Sequence, residues 1–176
     1  MNFIGAPIQG VYVVRGKPVA DERGHFMRTF DAAEFERLGL DPRVAQCSVS
    51  FSPARFTLRG MHYQRPPHEE AKLIRCLRGR AFDVAVDVRP NSPTYRRSFG
   101  VELHAGSVDS VFVPPGCAHG FLTLDPDTEL LYQIGTPYSP QHTAGIRWND
   151  PAFTIDWPAP PVIMSERDRG YPDFEP

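Results

Sequence analysis

Short apolar runs punctuated by turn residues recur along this chain, and in places hydrophobic and polar residues alternate with a period of two. The clearest stretch is Ala81–Val88, where Phe82, Val84, Val86 and Val88 share one face and Asp83, Ala85 and Asp87 the other. Such alternation predicts a strand, because successive side chains of an extended chain point to opposite faces. Further strands are expected at Gly10–Val14, His25–Phe30, Lys72–Leu77, Phe99–Leu103 and Ser110–Val113. In His25–Phe30 the side chains of Phe26 and Arg28 would share a face. Phe121–Leu124 and Glu129–Ile134 read as a hairpin around Asp125–Pro126–Asp127. Pro18–Gly24 reads as a loop, Arg78–Gly79 as a turn and Pro114–Pro115–Gly116 as a corner leading to His119. The helical period shows once, at Asp31–Leu40. Asp31 can cap it, Glu34 completes a capping-box pattern, Phe35 and Leu38 supply an apolar stripe, and Gly39 can end it. After Pro137 the pattern dissolves into an ordered but irregular tail. Many short strands with one peripheral helix predict an all-β antiparallel sandwich or barrel, of which the jelly roll is one case. A barrel of this kind can hold a cavity into which alternate side chains project, so inward polar residues become the ones to watch.

Composition narrows the picture. A length of 176 residues suits one domain, and no repeat or linker interrupts residues 1–176. A formal net charge of −2 gives no reason to expect nucleic acid or an anionic membrane as partner. No apolar run approaches the ~20 residues that span a bilayer, and Met1–Gly10 lacks the pattern of a secretory signal. Cys47, Cys76 and Cys117 are odd in number and widely spaced, which predicts reduced, buried thiols in a cytoplasmic protein.

Candidate chemistry gathers at Leu58–Arg59–Gly60–Met61–His62–Tyr63–Gln64 and Lys72. A histidine is a usable base near neutral pH when a carboxylate holds its other ring nitrogen, and a lysine in the same cavity can steady an enolate oxygen. Packed or solvated readings of His62 and Lys72 stay open beside these. Pro114–Pro115–Gly116–Cys117–Ala118–His119 has the Pro-x-Gly-x-x-His spacing of the second cupin motif. The first motif of metal-binding cupins carries His-x-His, and here the stretch is His62–Tyr63–Gln64, so no metal is expected. Tyr132 is either a core residue beside Leu130 and Ile134 or a proton donor.

Taken in order, these segments resemble the dTDP-4-dehydrorhamnose 3,5-epimerases and related nucleotide-sugar epimerases, from about Gly10 to Asp168. The markers include Asp21–Glu22–Arg23–Gly24 with Phe26, Leu58–Gln64, Lys72–Arg75, Asp83–Thr94, Pro115–Phe121, Tyr132, Tyr138, Trp157–Pro158 and Ser165–Asp168. The resemblance implies a metal-free and cofactor-free cupin jelly roll, a homodimer, acting on a nucleotide-diphosphate 4-keto-6-deoxy sugar. It implies His62 as the base, Asp168 as its partner, Lys72 beside the enolate and Tyr132 as the acid on the opposite face. Arg59 and His119 would line the sugar pocket, and Tyr138 would flank the ligand. Arg23 and Phe26 would reach the nucleotide of the partner subunit's site. Gln46 stands where the family's Gln-x-Asn-x-Ser begins, but the asparagine is Ser48, and Arg28 replaces a usual glutamate. Both departures fall on the nucleotide side, so intact proton transfer with an altered nucleotide or sugar preference is expected. The alternatives are a 3,4-ketoisomerase, a non-catalytic nucleotide-sugar-binding cupin and, disfavoured by Gln64, a metal-dependent oxygenase.

Overall fold

The computed structural model describes residues 1–175. In chain order its elements are β1 (Asn2–Gly5), β2 (Tyr12–Arg15), β3 (Val19–Asp21), β4 (Gly24–Phe26), α1 (Ala32–Arg37) and β5 (Gln46–Ser52). Then come β6 (Leu58–Gln64), β7 (Lys72–Arg78), β8 (Arg80–Asp87), β9 (Ser98–His104) and β10 (Asp109–Val113). β11 (Cys117–Thr123), β12 (Thr128–Ile134), β13 (Thr143–Gly145) and α2 (Glu166–Arg169) follow. One sheet is ordered β1-β2-β10-β7-β12-β5, a second β13-β6-β11-β8-β9, and β3 with β4 forms a separate hairpin. Every strand pairing within these sheets is antiparallel, as the alternation predicts for a jelly roll.

Period-two side chains divide the apolar residues among three clusters. Between the sheets, Ile74, Cys76, Val111, Val113 and Leu130 from one sheet meet Ala81, Ala85, Leu103 and Phe121 from the other. The opposite face of the five-stranded sheet offers Met61, Val84, Val86 and Ala118 to Ile146 and Phe153 of the C-terminal segment. The opposite face of the six-stranded sheet offers Val14, Leu73 and Phe112 to Phe35 of α1. Burying a phenylalanine such as Phe35 (1 % exposed) is worth roughly 1.5–3 kcal/mol, enough to hold a two-turn helix on the sheet.

Several local expectations change. β1 was not anticipated, and the first predicted strand begins at Tyr12 rather than Gly10. Pro18–Gly24 contains β3, and the strand expected at His25–Phe30 ends at Phe26, so Arg28 lies beyond it. Asp31 caps α1 through the amides of Ala33 and Glu34, but Glu34 turns away from the capping box to bind the Met1 amino group at 2.9 Å. β11 and β12 belong to different sheets, so the connection at Asp125–Asp127 is a crossover and not a hairpin turn. Cys76 and Cys117 are buried, and burial pushes their thiols up to about 11 and about 12, whereas Cys47 is exposed on β5.

Candidate active site

Residues of both sheets line a cleft of about 530 Å³, among them His62, Lys72, His119, Tyr132, Arg59 and Ser48, and Asp168 joins them. His62 comes from β6 in the five-stranded sheet, and Tyr132 from β12 in the six-stranded sheet. Alternation explains the placement of the histidine. Met61 packs into the cluster under the C-terminal segment, so the next side chain, His62, faces the cleft.

Asp168 reaches the cleft from α2, whose cap Ser165 accepts the Asp168 amide. Its Oδ1 lies 2.7 Å from His62 Nε2 and its Oδ2 accepts the Gly60 amide at 3.0 Å. Burial alone would raise this carboxyl. Hydrogen bonding and charge from His62, with help from Gly60 and Ser165, hold it below its ordinary value instead. An ionised Asp168 accepts from Nε2–H, and this leaves the lone pair of His62 on Nδ1. Gly60 is required for this contact. A Cβ there would lie 2.6 Å from the Gly120 Cα, and its φ of 122° is one that side chains disfavour.

His119 opposes His62 across the β6–β11 ladder and is buried with its Nε2 2.8 Å from Asp83 Oδ2. Tyr132 packs edge-on to His119, with ring centroids 5.7 Å apart. Burial, and then the Asp83 charge, raise its phenol well above the ordinary value, so the proton stays on the oxygen. Lys72 Nζ pairs with Glu70 Oε1 at 2.6 Å and donates to the His62 carbonyl at 3.2 Å. Arg59 is held by the Ser52 hydroxyl and the Phe51 carbonyl. Tyr132 packs against the inter-sheet core, as one reading of the sequence expects, and also lines the cleft.

A second cavity of about 200 Å³ shares His62, Lys72 and Arg167 with the first and adds Gln46, Glu70, Tyr138 and Thr143. Gln46 Oε1 accepts the Tyr138 amide at 2.7 Å. Gln64 is occupied elsewhere, donating to the carbonyls of His68 and Pro137 and accepting the Ser139 amide. Three expected residues stand apart. Arg23 pairs with Asp21 on its own hairpin, Phe26 is 75 % exposed, and Arg28 pairs with Asp31 at 2.8 Å. Asp83, Arg167 and Tyr171 are not among the residues the sequence singles out for the site. Tyr171 fits its ring into the space that Gly145 leaves, lies edge-on to His62 and accepts from Arg167 Nε at 2.9 Å.

The family profile of dTDP-4-dehydrorhamnose 3,5-epimerase matches residues 5–176. The enzyme of that name from Sinorhizobium fredii is 40 % identical over 175 residues, covering 99 % of this chain and 90 % of its own. A crystal structure of dTDP-4-dehydrorhamnose 3,5-epimerase from Elizabethkingia anophelis superposes with a TM-score of 0.95 at 36 % identity, covering 99 % and 96 % of the two chains. A 3'-monoepimerase from Streptomyces bikiniensis in complex with dTDP-quinovose superposes with a TM-score of 0.87 at 32 % identity, covering 96 % and 85 %. The fold and the cleft therefore define a cupin-type isomerase. Within that class the chain belongs to the dTDP-4-dehydrorhamnose 3,5-epimerase family.

Proposed function

We propose that the protein inverts C3, C5 or both in a nucleotide-linked 4-keto-6-deoxyhexose, with the proton moved by His62 and Tyr132. The observation that carries this reading is that the two side chains line one cleft from facing sheets. Inversion beside a ketone needs a proton removed from one face of the sugar and another delivered to the opposite face. His62 Nδ1 takes the first, its imidazolium steadied by Asp168 at 2.7 Å. The electron pair of the broken C–H bond moves to the ketone oxygen, and Lys72 stabilises the enolate that results. Tyr132, kept protonated by burial, returns a proton from the other side. Arg59 and His119 bound the sugar, while Gln46, Ser48 and Tyr138 lie towards the nucleotide.

Arg23 and Phe26 belong to a second copy's site in this reading, because their hairpin supplies no residue to the lining of either cavity of their own chain. Val19 and Phe26, cross-strand partners on that hairpin, are 72 % and 75 % exposed, which suits a surface covered in a homodimer. Residues 1–176 then act as one cytoplasmic domain that uses neither metal nor organic cofactor. Ser48 and Arg28 are the positions through which nucleotide preference would differ from that of the relatives.

The test is solvent deuterium incorporation into dTDP-4-keto-6-deoxyglucose, read by NMR. Label at C3 and C5 defines a double epimerase, and label at C3 alone a mono-epimerase. His62→Ala is expected to lower the labelling rate roughly 10²–10⁴-fold, and Tyr132→Phe to admit label without inversion. Label with a CDP, UDP or GDP sugar in preference to the dTDP sugar would support the reading of Ser48 and Arg28. No label with any of these substrates would overturn the proposal.

A further inference from the structure

Lys72 does not stand free in the cleft. Its ammonium has three N–H donors, and two have partners within the protein, Glu70 Oε1 at 2.6 Å and the His62 carbonyl at 3.2 Å. These two anchors lie on different elements, one on the segment before β7 and the other on β6. Together they fix the direction of the remaining N–H on a residue that lines both cavities. Both partners of the Glu70–Lys72 pair are nearly sealed, their side chains 6 % and 10 % exposed. Water therefore cannot substitute for Glu70 as it would for a surface carboxylate. The other oxygen, Glu70 Oε2, is buried with no hydrogen-bond partner among the described residues. A carboxylate left half-satisfied in a protein interior costs stability that an apolar residue would not. Among the described residues, the one hydrogen-bonded partner of that carboxylate is Lys72.

We infer that Glu70 is a positioning residue for the reaction: it holds the Lys72 ammonium between the segment before β7 and the His62 backbone so that the third N–H meets the ketone oxygen as charge develops there. The inference rests on the proposed role of Lys72. The His62 carbonyl on the same ammonium ties the cation to the strand that carries the base, so base and enolate-stabilising cation share one rigid frame. A misplacement of the ammonium by about 1 Å can cost roughly 10²-fold in rate. Glu70→Ala is therefore expected to lower kcat by that order while leaving KM nearly unchanged, because the lost interaction matters most in the transition state.

The experiment is a double-mutant cycle on the full chain, with Glu70→Ala, Lys72→Ala and the pair, measuring kcat and KM for epimerisation of the 4-keto sugar. If Glu70 acts through Lys72, Glu70→Ala has little further effect on kcat once Lys72 is alanine. Glu70→Gln, which retains an acceptor for Nζ, recovers most of the rate. Thermal unfolding of each variant reports whether it folds. Glu70→Leu keeps the volume without the acceptor and closes the same cycle where the alanine variant is too unstable to assay. The inference is overturned if the kcat loss is equally large in the Lys72→Ala background, if Glu70→Gln is as slow as Glu70→Ala, or if neither Glu70→Ala nor Glu70→Leu slows the enzyme. Wild-type activity in Lys72→Ala would instead overturn the reading of Lys72 itself, and the role of Glu70 with it.

Discussion

Asp168 meets its histidine across 106 residues of sequence, and that one contact sets which nitrogen of His62 is free. Asp168→Asn keeps the shape but can present an amide donor to Nε2, favouring the wrong tautomer. A loss of roughly 10²–10⁴-fold in epimerisation is expected, read as kcat at neutral pH. The same residue predicts a pH dependence of stability. Its carboxyl is held below the ordinary value, so its contribution is fully present above that value and is lost as pH falls through the lowered one. The urea midpoint of the wild type should therefore exceed that of Asp168→Asn at neutral pH, and the gap should close in strong acid. His62, Lys72 and His119 were legible in the sequence because each sits in a short local motif. Asp83 was not, since a carboxylate on an alternating strand reads as facing solvent. Its burial is decided by partners that only the fold supplies, such as His119 from β11 for Asp83.

At the scale of elements, the site depends on how closely β6 and β11 approach. Gly60 and Gly120 face one another where the register of the ladder shifts between His119 and Phe121. A methyl group at Gly60 would have to displace the Gly120 backbone, which cannot move aside as a flexible side chain can. Gly60→Ala is expected to destabilise the fold by about 1–3 kcal/mol from overpacking alone, with a further cost for the positive φ. It should also weaken the Gly60 amide bond to Asp168, so kcat falls together with the unfolding midpoint. The strands that alternate clearly, such as β8, are legible in the sequence, whereas the short β1 and β3 are not, and the cap of α1 is legible in Asp31 itself. The β11–β12 connection was misread because a short loop between two apolar runs has the same local chemistry whether it turns within one sheet or crosses to the other. Only long-range pairing, β11 with β6 and β8 and β12 with β5 and β7, separates the two cases.

For the whole molecule the decisive feature is the β3–β4 hairpin, which carries Arg23 and Phe26 but packs into none of the three apolar clusters. β5, at the edge of the six-stranded sheet, exposes Val49 and Phe51, at 56 % and 45 %, beside the cleft residue Ser48. A hairpin with an exposed apolar pair and an edge strand with exposed apolar residues are complementary needs that a second copy of the chain can meet. If Arg23 serves the partner's cleft, a dimer made from His62→Ala and Arg23→Ala chains contains one site with both defects and one with neither. Neither homodimer would be active, yet mixing and re-associating the two variants should restore activity from that single intact site. If Arg23 instead serves its own chain, each site in the mixed dimer carries one defect and mixing restores nothing. Epimerisation assayed before and after mixing, with light scattering to follow the oligomer, distinguishes the two arrangements.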